Sequence, residues 1–106
     1  MYDMANLKKL GALGDGASNA VKAFWAFDKA AMADGAVPKK YKELIAVAVA
    51  LTTQCPYCLE LHRSAAETAG ATQEELAETA LIAAALRAGA AITHATHVIG
   101  GAQVEK

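Results

Sequence analysis

Eight consecutive apolar residues, Leu44-Ile45-Ala46-Val47-Ala48-Val49-Ala50-Leu51, constrain this chain more than any other feature. Read as helix, the segment is apolar on every face, so it is expected at the centre of the fold and buried all round. Helix is the expected state because 27 of the 106 residues are alanine and only two are proline, a composition that favours helix over strand. Pro38 suits the first turn of this helix, which is expected to run to about Thr53.

The same reasoning divides the rest of the chain into an all-α bundle of about five helices, with no strand pattern. Residues 1–17, with Gly11, Gly14 and Gly16, read as a loose or short-helical N-terminal arm preceding one helical domain over 18–106. A helix from about Ser18 to Ala33 carries Val21, Phe24, Trp25 and Phe27, and Gly35 ends it. Pro56 opens the third helix and Gly70 closes it. Thr72 and Glu75 form a capping-box pattern for the fourth, expected to end near Gly89. A fifth runs to about Ile99, before Gly100 and Gly101. Hydrophobic residues make up 55% of the chain, more than one small domain readily covers, so assembly with copies of itself is expected.

A formal charge of −1 and the lack of a basic run argue against nucleic acid or an anionic membrane as partner. The longest nearly uncharged runs, Leu44 to Tyr57 and Ala80 to Leu86, read as too short to span a bilayer. The opening MYDMANLKKL lacks the apolar stretch and cleavage site of a signal peptide. A cytoplasmic location is therefore expected. There, two cysteines are catalytic or metal-binding more often than a structural staple.

The chemistry concentrates at the third helix. On a 100° wheel Cys55, Cys58, Leu59, His62 and Ala66 share one side, while Glu60, Arg63, Ser64 and Glu67 share the other. Arg63 is placed to pair with Glu60 and Glu67. Cysteines three apart on a helical turn lie within disulfide range, and the free N–H groups of a helix N-terminus lower a thiol pKa. His62 follows Cys58 by one turn, so its imidazole can exchange a proton with that sulfur. Plain core packing and a zinc site use the same residue types, but zinc wants four ligands and no second CxxC is present. Glu43 is either a surface partner of Lys39, one turn back, or a member of the same cleft.

Glu43, Cys55-Pro56-Tyr57-Cys58 and His62, with the flanking stretch PKKYKELIAVAVALTTQCPYCLELHRSAAETAGATQEELAE, resemble the signature of the alkylhydroperoxidase D-like (AhpD-like) branch of the carboxymuconolactone decarboxylase superfamily. The resemblance spans about residues 20–95. It implies an all-α homo-oligomer, commonly a trimer or hexamer, in which two thiols reduce a hydroperoxide or exchange with a partner disulfide. By the family's pattern Cys58 attacks, Cys55 resolves the sulfenic acid, and His62 with Glu43 relays the proton. Cys58 is then expected to be the more acidic and accessible thiol. A hydroperoxide, a thiol or dithiol reductant and copies of the chain are the implied partners; no cofactor or metal is implied. Alkylhydroperoxidase D itself has a second helical repeat and a histidine between its cysteines, where this chain has one repeat and Tyr57. That difference makes Tyr57 a secondary site residue.

Other readings stay beside this one. CPYC also occurs in glutaredoxins, but those need a strand before the cysteines and a later cis-proline. A decarboxylase or lactone-processing enzyme is the superfamily alternative, and a zinc-binding or purely structural oligomer is a third. His94 and His97, three apart, form a surface or interface pair or a metal pair; His94 is kept as a secondary site residue that an oligomer neighbour could bring to the cleft.

Overall fold

The computed structural model describes residues 2–101. Five α-helices carry the fold: α1 (Gly11–Gly16), α2 (Ser18–Met32), α3 (Lys39–Thr53), α4 (Pro56–Thr68) and α5 (Gln73–His94), with 3₁₀ turns over Met4–Leu10 and Ala95–His97. No strand occurs among the described residues. The fold is all-α, as the alanine content requires.

The N-terminal arm takes the short-helical form of its two readings: a 3₁₀ stretch runs straight into α1, and the chain bends at Ala17 (φ −146°, ψ 62°). The helices divide the chain differently from the sequence reading further on. The expected break near Gly89 does not occur, since α5 continues through it to His94. A mid-helix glycine costs only about 1 kcal/mol relative to alanine, and the surrounding alanines and leucines carry the helix past it. Helical structure is thus continuous over Gln73–His97, which is long and apolar enough, by length and composition, to cross a membrane. The expectation that no run reaches that length is corrected; it took Leu86 as the end of the apolar stretch.

α3 is the centre of the fold. It packs mainly on α4 and α5, while α2 touches it lightly. Its inward stripe, Glu43, Leu44, Val47 and Ala50, supplies most of the buried residues, joined by Ala66 of α4 and Ala83 of α5. Burial of Leu44 and Val47 contributes about 1.5–3 kcal/mol each. Alanine at positions 50, 66 and 83 lets the helix backbones approach closely. The helix is not buried all round, however: Ile45 and Val49 are 54% and 55% exposed in the single chain. Only two helices flank it closely, and they cover one side.

Two turns set the geometry. Gln54 ends α3 in the left-handed region (φ 57°), with Cys55 N–H reaching back to the Ala50 carbonyl, a Schellman-type reversal that folds α4 onto α3. Thr72 and Glu75 form the expected capping box at the start of α5. At the other end of the site, lysines of α3 close the carbonyl end of α2. Lys39 Nζ donates to the Met32 carbonyl, and Lys42 Nζ to those of Ala31 and Ala33.

Candidate active site

Cys55 is not inside the helix but at its N-cap, with extended backbone (φ −100°, ψ 100°) and a sulfur that accepts the Cys58 N–H at 3.3 Å. Pro56 occupies the first helical position, where its missing N–H leaves nothing unpaired. Cys58 lies one turn in, and its sulfur is 2.6 Å from that of Cys55. Both thiols are free and half-buried.

This geometry separates the two sulfurs electrostatically. The Cys58 thiol donates to Cys55 Sγ, and the Cys58 and Tyr57 backbone N–H groups stabilise charge there, so the Cys55 thiol lies below its ordinary value. The same Cys58-to-Cys55 hydrogen bond, reinforced by burial, pushes the Cys58 thiol up to about 11. The expectation that Cys58 is the more acidic thiol is therefore reversed. The N-cap position collects the helix N–H groups, and it belongs to Cys55. The pair holds one negative charge, on Cys55, before it can hold two.

Glu43 combines both of its readings. Its carboxylate is only 3% exposed; Oε2 pairs with Lys39 Nζ at 2.9 Å and Oε1 meets His62 Nδ1 at 2.6 Å. Burial alone raises its pKa, but hydrogen bonds from His62 and Lys39 outweigh burial and hold it below the usual value. An ionised carboxylate only accepts, so His62 Nδ1 carries the hydrogen and the neutral ring leaves Nε2 as acceptor. Glu43 thus orients the imidazole.

Cys58 and His62 open onto one cleft of about 710 Å³ between α2, α3 and α4. Its walls are mostly apolar, with Phe27 and Met32 on α2 and Ile45 and Val49 on α3. Sequence spacing carried no signal for the α2 wall, because no motif links Phe27 or Met32 to the cysteines. A second cleft, about 490 Å³, lies against the other side of α4 beneath Tyr2 and includes neither cysteine nor His62.

Tyr57 turns away from the thiol chemistry. Its hydroxyl accepts from Asp3 N–H at 3.3 Å and from Asn6 Nδ2 at 2.9 Å, and its ring meets that of Tyr2 edge-on at 5.1 Å. Tyr2 in turn hydrogen-bonds Glu60, and Arg63 pairs with Glu67 at 2.8 Å. Tyr57, one of the two residues between the cysteines, thus fastens the N-terminal arm. His94 and His97 sit at the end of α5 with ring centroids 5.4 Å apart, and the single chain does not bring them to the cleft. Among the described residues no three His, Cys, Asp or Glu side chains gather as a metal-ligand group.

The site is thus a dithiol at the N-terminus of α4, with His62 further along the same helix paired to the buried Glu43 of α3. The model of the carboxymuconolactone decarboxylase family matches residues 19–99. The chain belongs to that family. A protein described as uncharacterized protein 4 in the cox locus of Paracoccus denitrificans is 44% identical over 102 residues, covering 93% of this chain and 92% of that one. An uncharacterized protein of Cupriavidus necator is 44% identical over 75 residues, covering 71% and 66% of the two chains. A carboxymuconolactone decarboxylase family protein from Legionella pneumophila has a similar structure (TM-score 0.70, 36% identity, 76% of this chain and 71% of that chain). So has a Methanobacterium thermoautotrophicum protein (TM-score 0.75, 32% identity, 81% and 97%). The family includes decarboxylases and AhpD-type peroxidases, so membership alone leaves the reaction to the site.

Proposed function

We propose that the chain is a cytoplasmic thiol-dependent peroxidase or disulfide reductase of the AhpD-like kind, working as a homotrimer or homohexamer. The observation that carries this reading is the Glu43–His62 pair, hydrogen-bonded at 2.6 Å, on a cleft that also holds Cys58. A decarboxylase needs no second thiol paired to the one in such a cleft. A zinc site would compete with His62 and Lys39 for a carboxylate whose two oxygens they already occupy.

A hydroperoxide in the cleft meets Cys58, not Cys55. His62 Nε2 takes the Cys58 proton while the Glu43 carboxylate balances the charge on the ring. The sulfur attacks the outer peroxide oxygen; an S–O bond forms, the O–O bond breaks, and the departing alkoxide takes the proton back from His62 to leave as alcohol. Cys58 is now a sulfenic acid. Cys55, the more acidic of the two thiols, loses its proton and attacks it, forming the Cys55–Cys58 disulfide and expelling hydroxide, which that proton converts to water. A thiol or dithiol reductant of the cell restores the pair. The reversed acidity therefore suits Cys55 to resolving and makes His62 necessary for attack.

Mass spectrometry of reduced protein mixed with cumene hydroperoxide tests the assignment. Cys58→Ser abolishes peroxide consumption, whereas Cys55→Ser leaves one turnover and a Cys58 sulfenic acid that excess oxidant converts further. His62→Ala slows the first step by about 10²-fold at neutral pH, with partial recovery at higher pH. Loss of the first step in Cys55→Ser but not Cys58→Ser reverses the roles; no loss in either removes the peroxidase reading.

A further inference from the structure

The Glu43–His62 pair has a third member. Lys39 Nζ stands 2.9 Å from Glu43 Oε2, the oxygen that His62 does not use. One turn apart on α3, the two would ordinarily make an exposed helix pair of little consequence. Here the carboxylate side chain is 4% exposed and the lysine 44%, so water reaches one end of the pair and screens it less than an exposed pair. Lys39 is also held from two further sides. Its Nζ donates to the Met32 carbonyl at the end of α2 at 2.9 Å, and its backbone N–H donates to Asp34 Oδ1 at 2.6 Å. The ammonium is thereby fixed where α2, α3 and the imidazole's carboxylate meet.

The effect of that charge follows from where hydrogens can sit. With one hydrogen between Glu43 and His62, it lies on Nδ1, and Nε2 is free to accept. A second proton has two places to go. It makes either an imidazolium beside a carboxylate, or a carboxyl group that donates to Nδ1 of a ring whose own hydrogen is on Nε2. In both forms Nε2 carries a hydrogen and cannot take one from Cys58. Glu43 and His62 therefore bind that proton as a unit, and a cation on Oε2 opposes it in either form. Burial pushes a proton onto Glu43; the hydrogen bonds from His62 and Lys39, with the charge of Lys39, hold the carboxylate ionised against it.

We infer that Lys39 is a positioning residue of the relay: its ammonium fixes Oε2 and keeps the second proton off the Glu43–His62 pair, leaving Nε2 open to the Cys58 proton. The inference rests on the thiol-relay reading and adds the group that sets the pH at which the relay works. The other charges around the pair do not replace Lys39. Lys42 of α3 lines the same cleft, but its Nζ is engaged by the Ala31 and Ala33 carbonyls. Asp28 of α2, also on the cleft wall, acts in the opposite sense, and Lys22 and Lys29 of that helix are exposed. α5 turns Glu75 to Lys40, and its Glu74 and Glu78 are exposed. On α4, Glu60 and Arg63 are taken up by Tyr2 and Glu67, and the Cys58 thiol, at about 11, is uncharged at neutral pH.

Two variants separate charge from shape: Lys39→Met removes the charge and keeps the stem, whereas Lys39→Arg keeps the charge. In nitrogen-15 spectra of the reduced protein against pH, the midpoint at which His62 Nε2 takes up hydrogen is expected to rise by about one unit in Lys39→Met and to stay near wild type in Lys39→Arg. With cumene hydroperoxide, the acid limb of the rate profile is expected to move up with it. The rate below the midpoint then falls about tenfold and recovers as pH rises. A midpoint that does not move in Lys39→Met, or that moves equally in Lys39→Arg, overturns the inference. So does a moved midpoint with an unmoved rate profile. If the wild type consumes no hydroperoxide at any pH, the peroxidase reading falls by itself, while the nitrogen-15 midpoints still support or sink the role of Lys39. Should circular dichroism show that Lys39→Met loses its helices, Lys39→Gln is read in the same way.

Discussion

Glu43 accepts two cationic or hydrogen-donating partners on one buried carboxylate, and that makes it the residue whose replacement is most informative. Its folded-state pKa lies below the ordinary 4.5, so as pH falls the unfolded chain takes up the proton first and the folded state loses stability. At neutral pH the wild type is expected to exceed Glu43→Gln by about 1–3 kcal/mol in urea unfolding. That gap should close as pH drops from about 4.5 through the depressed folded pKa; a gap that is flat with pH would mean the carboxylate is not held ionised. The thiols give a second residue-scale expectation. Because the Cys58 thiol is held at about 11 chiefly by its hydrogen bond to Cys55, Cys55→Ser should lower the Cys58 pKa. The ultraviolet absorbance of the thiolate, followed against pH, measures it. No shift in that variant would show that burial, not the Cys55 sulfur, sets the Cys58 value.

At the scale of elements, α5 is the helix that sequence reasoning divided and the structure joined. A Cβ added at Gly89 meets nothing within 4 Å, so Gly89→Ala is expected to stabilise the protein by about 0.5–1 kcal/mol in thermal unfolding. A loss of stability instead would place another chain against α5 at that point. The other elements were legible because their boundaries are chemical: Pro38, Pro56 and the Thr72–Glu75 pair announce helix starts through groups that the first turn requires. The end of α3 near Thr53 was legible, but the left-handed conformation of Gln54 was not. A non-glycine residue in the left-handed region is held there by the Ala50–Cys55 hydrogen bond and the packing of α4 on α3, which no local pattern encodes.

At the scale of the molecule, the apolar residues outnumber what the three central helices can cover, and the surplus faces outward on α2, α3 and α5. Stability that depends on a partner copy depends on concentration. The thermal midpoint is therefore expected to rise as protein concentration is raised from the nanomolar to the micromolar range, measured by circular dichroism or dye-free fluorescence of Trp25. A midpoint independent of concentration would indicate a chain that is stable alone.

Several features follow from the sequence by itself. Alanine content and helix-start chemistry determine an all-α chain, and residue spacing along one helix puts Cys58 and His62 on a common face. Periodicity reports which residues share a face of one element, because each turn repeats the same geometry. It does not report what lies opposite. Whether Glu43 pairs with Lys39 or with His62 depended on how far α4 folds back over α3, and the tertiary structure answers with both. That Tyr57 holds the arm, that α2 walls the cleft, and that Cys55 rather than Cys58 sits on the helix N–H groups were likewise decided only in three dimensions. Hydrogen bonds and apolar walls formed between elements depend on crossing geometry, and crossing geometry is set by packing, not by the order of residues within any one helix.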